Sequence, residues 1–262
     1  MPGGKAVSFP DRCRWVLDGP RLLTTPSFFA YMRIADGCNN RCAYCAIPLI
    51  RGDLRSREMD ALVREAEGLA AQGVRELVLV AQDTTMYGQD LAGRSLLPEL
   101  LERLCAVDGL RWIRLLYCYP EHITDELLSV MRRQPKVLRY LDVPLQHCSG
   151  RVLRAMNRPG DRESLTALFG RIREALPGVV LRTTILVGFP GETEADFEEL
   201  CAFIKELRFE RLGCFAFSSE EGTPAASMPG QIPETVKSRR RDIVMQTQER
   251  IADAYNQAQL GK

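Results

Sequence analysis

Three cysteines, Cys38, Cys42 and Cys45, stand in the run Gly37-Cys38-Asn39-Asn40-Arg41-Cys42-Ala43-Tyr44-Cys45. Spacings of four and three put three thiols in one short loop, close enough to grip one metal centre. No fourth Cys or His is near; the next candidates are Cys13 upstream and Cys105 downstream. A structural zinc site wants four ligands, and iron–sulfur cubes are held by cysteine thiolates, usually four. A cube with three leaves one iron free to bind a substrate or cofactor, which is a catalytic arrangement. The plainer alternative is one buried helical stripe, because Cys also packs as a small hydrophobe. Asn39, Asn40 and Arg41 make a poor helix interior and Pro48 follows soon after, which favours the ligand reading.

The elements that must position this loop are legible as apolar, β-branched runs alternating with helical patterns. Strands are expected at Tyr31–Ala35, Glu76–Ala81, Trp112–Tyr117, Tyr140–Val143, Val180–Val187 and Leu212–Phe217. Helices are expected at Arg57–Gln72, Leu96–Val107, Thr124–Arg133, Glu163–Ala175, Glu194–Leu207 and, after Pro233, Glu234–Leu260. Thr193 with Asp196 three residues on reads as a variant capping box, and Thr124 as a second cap. Such alternation predicts parallel βαβ units. Six of them predict an α/β fold, a partial (β/α)6 barrel of the TIM-like kind, with a doubly wound sheet as the competing architecture. In barrels the chemistry sits at the C-terminal strand ends, and the Cys loop directly follows the first expected strand.

The other strand ends carry further candidates. After the second come Gln82, Asp83, Thr84 and Thr85; after the third, Tyr117 and Tyr119, which either line a substrate pocket or pack the barrel mouth. The fourth is followed by Gln146 and His147, the latter one of only two histidines and as readily a structural residue as a pocket one. The fifth strand holds Arg182, suited to a carboxylate or to a surface ion pair. It ends in Gly188-Phe189-Pro190-Gly191-Glu192-Thr193, whose glycines allow close backbone approach before a helix N-terminus.

Together these pieces resemble a known family. C-x-x-x-C-x-x-C with Tyr44 before the last Cys resembles the radical S-adenosylmethionine (SAM) superfamily. That resemblance implies a [4Fe-4S] cluster on Cys38, Cys42 and Cys45, its open iron chelating SAM, within a six-unit partial barrel. It places Tyr44, Gln82, Asp83, Gln146, Arg182 and Gly188 among the SAM-binding candidates, with Tyr117, Tyr119 and His147 towards the substrate. Cys38 to Gly52, Ser56-Arg57, Ala81-Gln82-Asp83-Thr84 to Tyr87-Gly88, Pro144 to His147 and Val187 to Thr193 look like the methylthiotransferases, across nearly the whole chain. The Gln82-Asp83-Thr84 version is similar to the RimO type, which methylthiolates the β-carbon of an aspartate in a small-subunit ribosomal protein. The resemblance also implies a reductant such as flavodoxin or ferredoxin, and a second [4Fe-4S] cluster in an N-terminal domain. That domain and a C-terminal β-barrel (TRAM) domain are expected to be absent here. The expected layout is a lead-in over residues 1–30, the partial barrel over 31–225, and a linker with the last helix over 226–262.

Bulk composition excludes several classes. The chain has 262 residues, 45% hydrophobic and 26% charged, with a net charge of +1. That is ordinary globular composition, without the basic excess of a dedicated nucleic-acid binder. No run suggests a membrane span or signal peptide. Nine cysteines, an odd number, suggest reduced thiols and a cytoplasmic setting rather than a disulfide framework. A monomer is expected. The basic run Lys237-Ser238-Arg239-Arg240-Arg241 reads as a solvated helix face. Two rivals stand beside the main reading: a tRNA adenosine methylthiotransferase, and a non-catalytic metal-binding module with Cys13 as fourth ligand.

Overall fold

The computed structural model describes residues 22–261. In chain order the elements are β1 (Phe29–Arg33), β2 (Ala35–Asp36), α1 (Ile47–Arg51), β3 (Arg55–Ser56), α2 (Met59–Ala71), β4 (Glu76–Val80), α3 (Gln89–Ala92), α4 (Leu97–Cys105), β5 (Trp112–Leu115), α5 (Asp125–Arg133), β6 (Val137–Asp142), α6 (Gly150–Ala155), α7 (Arg162–Ala175), β7 (Val180–Val187), α8 (Glu194–Leu207), β8 (Arg211–Ala216) and α9 (Glu234–Gln257). Six strands pair in the order β1-β4-β5-β6-β7-β8, every pair parallel. The order is linear, so β1 and β8 are both edges of an unclosed barrel. A small antiparallel ladder, β2 with β3, stands at its mouth.

Period-two alternation explains the layering. In β7, Leu181, Thr183, Ile185 and Val187 are buried, while Val180, Arg182, Thr184 and Leu186 are partly exposed on the opposite face. The buried face meets the helices. Along α2, Leu62, Ala66, Leu69 and Ala70 present one apolar stripe to it. Phe169 of α7 meets Phe209, just after α8, edge to face at 5.0 Å and 83°, a geometry worth about 0.5–1.5 kcal/mol beyond area burial. The less buried face surrounds an open lumen of about 530 Å³, lined among others by Tyr31, Arg114, Tyr117, Tyr140 and Arg182. A groove of about 560 Å³ lies outside the barrel between β8 and α9, away from the cysteine loop.

The six strands and the main helices fall where periodicity puts them. Thr193 caps α8 in a reciprocal box with Asp196, and Thr124 caps α5. Differences concentrate at ends. β1 begins at Phe29, inside the expected lead-in, and β6 begins at Val137 rather than Tyr140. β5 stops at Leu115, because Tyr117 turns to φ 60° and leaves the sheet. The basic run of α9 is corrected too. Lys237 and Arg240 are 8% and 6% exposed, not solvated. Lys237 donates to the Phe217 carbonyl at 2.9 Å and Arg240 pairs with Glu192 at 2.8 Å, clamping α9 onto the end of β7. Cys13 and most of the lead-in lie outside the described residues.

Candidate metal centre

The cysteine loop is held from every side. Gly37 starts it at φ 74°, where a Cβ would lie 2.1 Å from the Asp53 carbonyl oxygen, so only glycine fits. The amide of Cys38 donates to Gly52 O at 3.2 Å, and the Asn39 side chain accepts from the Leu54 amide at 3.0 Å. Arg41 bonds Asp53 across the loop. The Ala43 amide donates to Met156 O at 2.9 Å, and the Ala43 carbonyl accepts from Ala225 at 2.9 Å. All three cysteines remain reduced and partly exposed.

Asp83 ties the loop to the end of β4. One carboxylate oxygen accepts from the Thr85 amide at 3.0 Å and from the Thr85 hydroxyl; the other meets Asn40 Nδ2 at 2.8 Å and His122 Nδ1 at 3.2 Å. Asp83 is 1% exposed with both oxygens engaged, which makes it a tie within the fold. Its neighbour Gln82 is the opposite case: Oε1 is buried and has no hydrogen-bond partner among the described residues. A buried acceptor left unmade is costly, and it marks a place for a donor.

The remaining candidates divide. Tyr117 is 47% exposed on the lumen, held at φ 60° with its amide 3.2 Å from Asp142 Oδ2. Arg182 also faces the lumen, but its guanidinium is paired with buried Asp142 at 2.6 Å. Gln146 takes φ 70° and bridges to Ile185 of β7, two further marks of a constrained strand end. Gly188, at φ 75°, donates its amide to Glu192 Oε2 at 2.7 Å and lies against Lys237. Tyr119, expected towards the substrate, is only 9% exposed, its hydroxyl 3.7 Å from Cys42 Sγ. His147 does not reach the lumen: it is fully buried, accepts from the Ser149 amide at 2.9 Å and turns Nε2 towards Glu192 at 3.9 Å. Burial holds its pKa at about 4 and pushes the Glu192 carboxyl up to about 7.

One residue at the loop had no place in the sequence reading. Arg158, 5% exposed, reaches Tyr44 OH at 3.4 Å, Cys42 Sγ at 3.9 Å and the Pro144 carbonyl at 2.9 Å. Its signal was Asn157-Arg158-Pro159-Gly160, a helix stop. Asn157 takes φ 56°, and the amides of Asn157 and Arg158 return to Arg154 and Leu153, the Schellman pattern ending α6. That turn aims Arg158 back at the cysteines.

The donor set suits a polynuclear iron–sulfur centre. Burial pushes the Cys38 thiol up to about 11 and raises that of Cys45, so the thiolate forms need a strong positive charge, which iron supplies. Among the described residues no three His, Cys, Asp or Glu groups form a site for a single metal ion. A cube asks less convergence of its thiols, because each binds a different iron.

Residues 32–204 match the family model of the radical SAM superfamily, and the chain belongs to that superfamily. It is 52% identical over 243 residues to the ribosomal protein uS12 methylthiotransferase RimO of Pelotomaculum thermopropionicum, covering 93% of this chain and 55% of the relative. The RimO protein of Anaeromyxobacter sp. strain K is 54% identical, with 93% and 52% covered. The chain thus spans about half the length of these curated relatives. Among solved structures, the radical SAM methyltransferase TsrM of Kitasatospora setae superposes with a TM-score of 0.62 at 20% identity, over 76% of this chain and 38% of that one. Coproporphyrinogen III oxidase (HemN) of Escherichia coli gives 0.61 at 19%, over 87% and 52%. Both share the partial-barrel fold. Among the described residues no helix is long and apolar enough to cross a membrane.

Proposed function

We propose that this chain is the catalytic core of a cytoplasmic methylthiotransferase that cleaves SAM reductively and helps place a methylthio group on the β-carbon of an aspartate in ribosomal protein uS12. The observation that carries this reading is the likeness to RimO proteins along 93% of the chain, with the three-thiol loop intact. Bound together, a [4Fe-4S] cluster and SAM supply hydrogen-atom abstraction from an unactivated C–H bond.

The residues' own tasks follow from their surroundings. Cys38, Cys42 and Cys45 bind three irons. The unpartnered Gln82 Oε1 accepts from the amino group of SAM. Gly188 and Gln146 offer constrained backbone at neighbouring strand ends. Tyr44 and Tyr119, packed on Arg158, keep water from the Cys42 side. Tyr117 and the Asp142–Arg182 pair shape the lumen below, where a side chain of the substrate protein would enter. The electron comes from a low-potential donor such as flavodoxin or ferredoxin, and the protein works as a monomer.

The test uses the full-length parent enzyme, reconstituted anaerobically, with uS12 and with unmodified tRNA as alternative substrates. Mass spectrometry should find the methylthio group on a uS12 aspartate. Modification of tRNA adenosine alone would overturn the substrate assignment.

A further inference from the structure

We infer that Arg158 is a positioning residue that sets the reduction potential of the iron–sulfur cluster through the Cys42 corner. This inference rests on the reading that the thiol loop holds such a cluster.

Arg158 is a buried cation with no carboxylate in contact; Glu121 acts on it only through space. Its groups are distributed over neutral partners: Nη2 donates to Pro144 O at 2.9 Å, Nη1 approaches Tyr44 OH at 3.4 Å, and the Tyr119 ring lies 4.1 Å beneath the guanidinium carbon. No acidic side chain among the described residues ion-pairs with it. A buried charge is tolerated only when it is paired or fully bonded. The remaining contact, Nη1 to Cys42 Sγ at 3.9 Å, supplies the missing counter-ion once that sulfur is an iron-bound thiolate.

The three thiols are not served alike. Among the described residues no side-chain donor reaches the sulfur of Cys38 or Cys45. Cys42 Sγ, by contrast, has side-chain neighbours, the Arg158 guanidinium and the Tyr119 hydroxyl at 3.7 Å. Only this corner therefore carries a full positive charge. One-electron reduction by a low-potential donor adds one negative charge to the cluster and its thiolates. A fixed cation beside one sulfur stabilises the reduced state more than the oxidised one, and hydrogen bonds to cluster sulfurs act in the same direction. Arg158 thus raises the potential, easing the electron entry that must precede SAM cleavage. The rigid aromatic stack on Tyr119 and the Pro144 bond hold the guanidinium where a flexible lysine could not be held.

The experiment is an anaerobic, EPR-monitored redox titration of the reconstituted chain, without SAM, beside an iron assay. Arg158→Gln should keep the iron content and move the midpoint to more negative potential. Tyr119→Phe and Arg158→Lys should each move it the same way by less, the lysine because it keeps the charge but is not held at the same place beside the sulfur. An Arg158→Gln protein with full iron and the wild-type midpoint overturns the inference and leaves Arg158 a purely structural residue. Should that variant bind no iron, Tyr119→Phe and Arg158→Lys decide: wild-type midpoints in both overturn it, and a negative shift in both supports it. A wild-type chain that takes up no four-iron cluster overturns the reading of the loop itself, and this inference with it.

Discussion

Gly188 is where the sequence motif, the strand end and the last helix meet, and its substitution by alanine tests that junction. Its φ of 75° lies in the left-handed region, which costs an L-residue roughly 1–2 kcal/mol. An added Cβ would stand 2.3 Å from Lys237 Cγ. Lys237 cannot swing away freely, because its ammonium is bonded to Phe217 O at 2.9 Å and lies 5.2 Å from the Phe217 ring centre. Overpacking of this kind costs typically about 1–3 kcal/mol. Gly188→Ala should therefore destabilise the chain by roughly 2–5 kcal/mol in urea unfolding. The two parts are separable. In a Lys237→Ala background the clash with Cγ disappears, leaving a tight 3.0 Å approach to Cβ and the backbone strain, so the same substitution should cost markedly less, about 1–2 kcal/mol. A Gly188→Ala protein within about 0.5 kcal/mol of wild type refutes the reasoning. So does an equal loss in both backgrounds, which would leave the helix contact without weight.

Two further outcomes follow from the buried polar groups. Asp83→Ala strips four donors of their acceptor, two of them on Thr85, and should cost about 3–4 kcal/mol in urea unfolding with lower iron uptake, since Asn40 loses its anchor; a loss under 1 kcal/mol would contradict this. Stability against pH checks His147 and Glu192. His147, held at about 4 from an ordinary 6.5, contributes stability that is complete above 6.5 and lost as pH falls through about 4. Glu192, raised from 4.5 to about 7, contributes stability present below 4.5 and lost as pH rises through about 7. The slopes oppose each other between pH 4.5 and 6.5, so the wild type should be nearly flat there. His147→Asn leaves Glu192 alone, and its stability should fall by roughly 2–3 kcal/mol across that window; an unchanged profile would sink the assignment.

The fold was legible because its signals are local. Alternation marked β7, and the Thr193 and Asp196 box marked the start of α8. The cysteine loop was legible because its ligands are adjacent in sequence. What sequence could not show is where long side chains go. Lys237 and Arg240 read as solvated because charge usually is, yet Glu192, over 40 residues away, makes a buried partner for Arg240. Asp83 and Arg182 read as cofactor-binding candidates because they sit at or on barrel strands; the structure adds internal partners for both, which sequence could not show. Arg158 was invisible because its role depends on a tertiary contact with a loop 116 residues earlier.

The central claim is that three thiols hold a four-iron cluster with one open iron. The most direct measurement is EPR of the anaerobically reconstituted, reduced chain with and without SAM, alongside Cys42→Ala. The account predicts a four-iron signal that changes on adding SAM and is absent from the variant. Uptake of a single zinc, or a cluster signal indifferent to SAM, would contradict it.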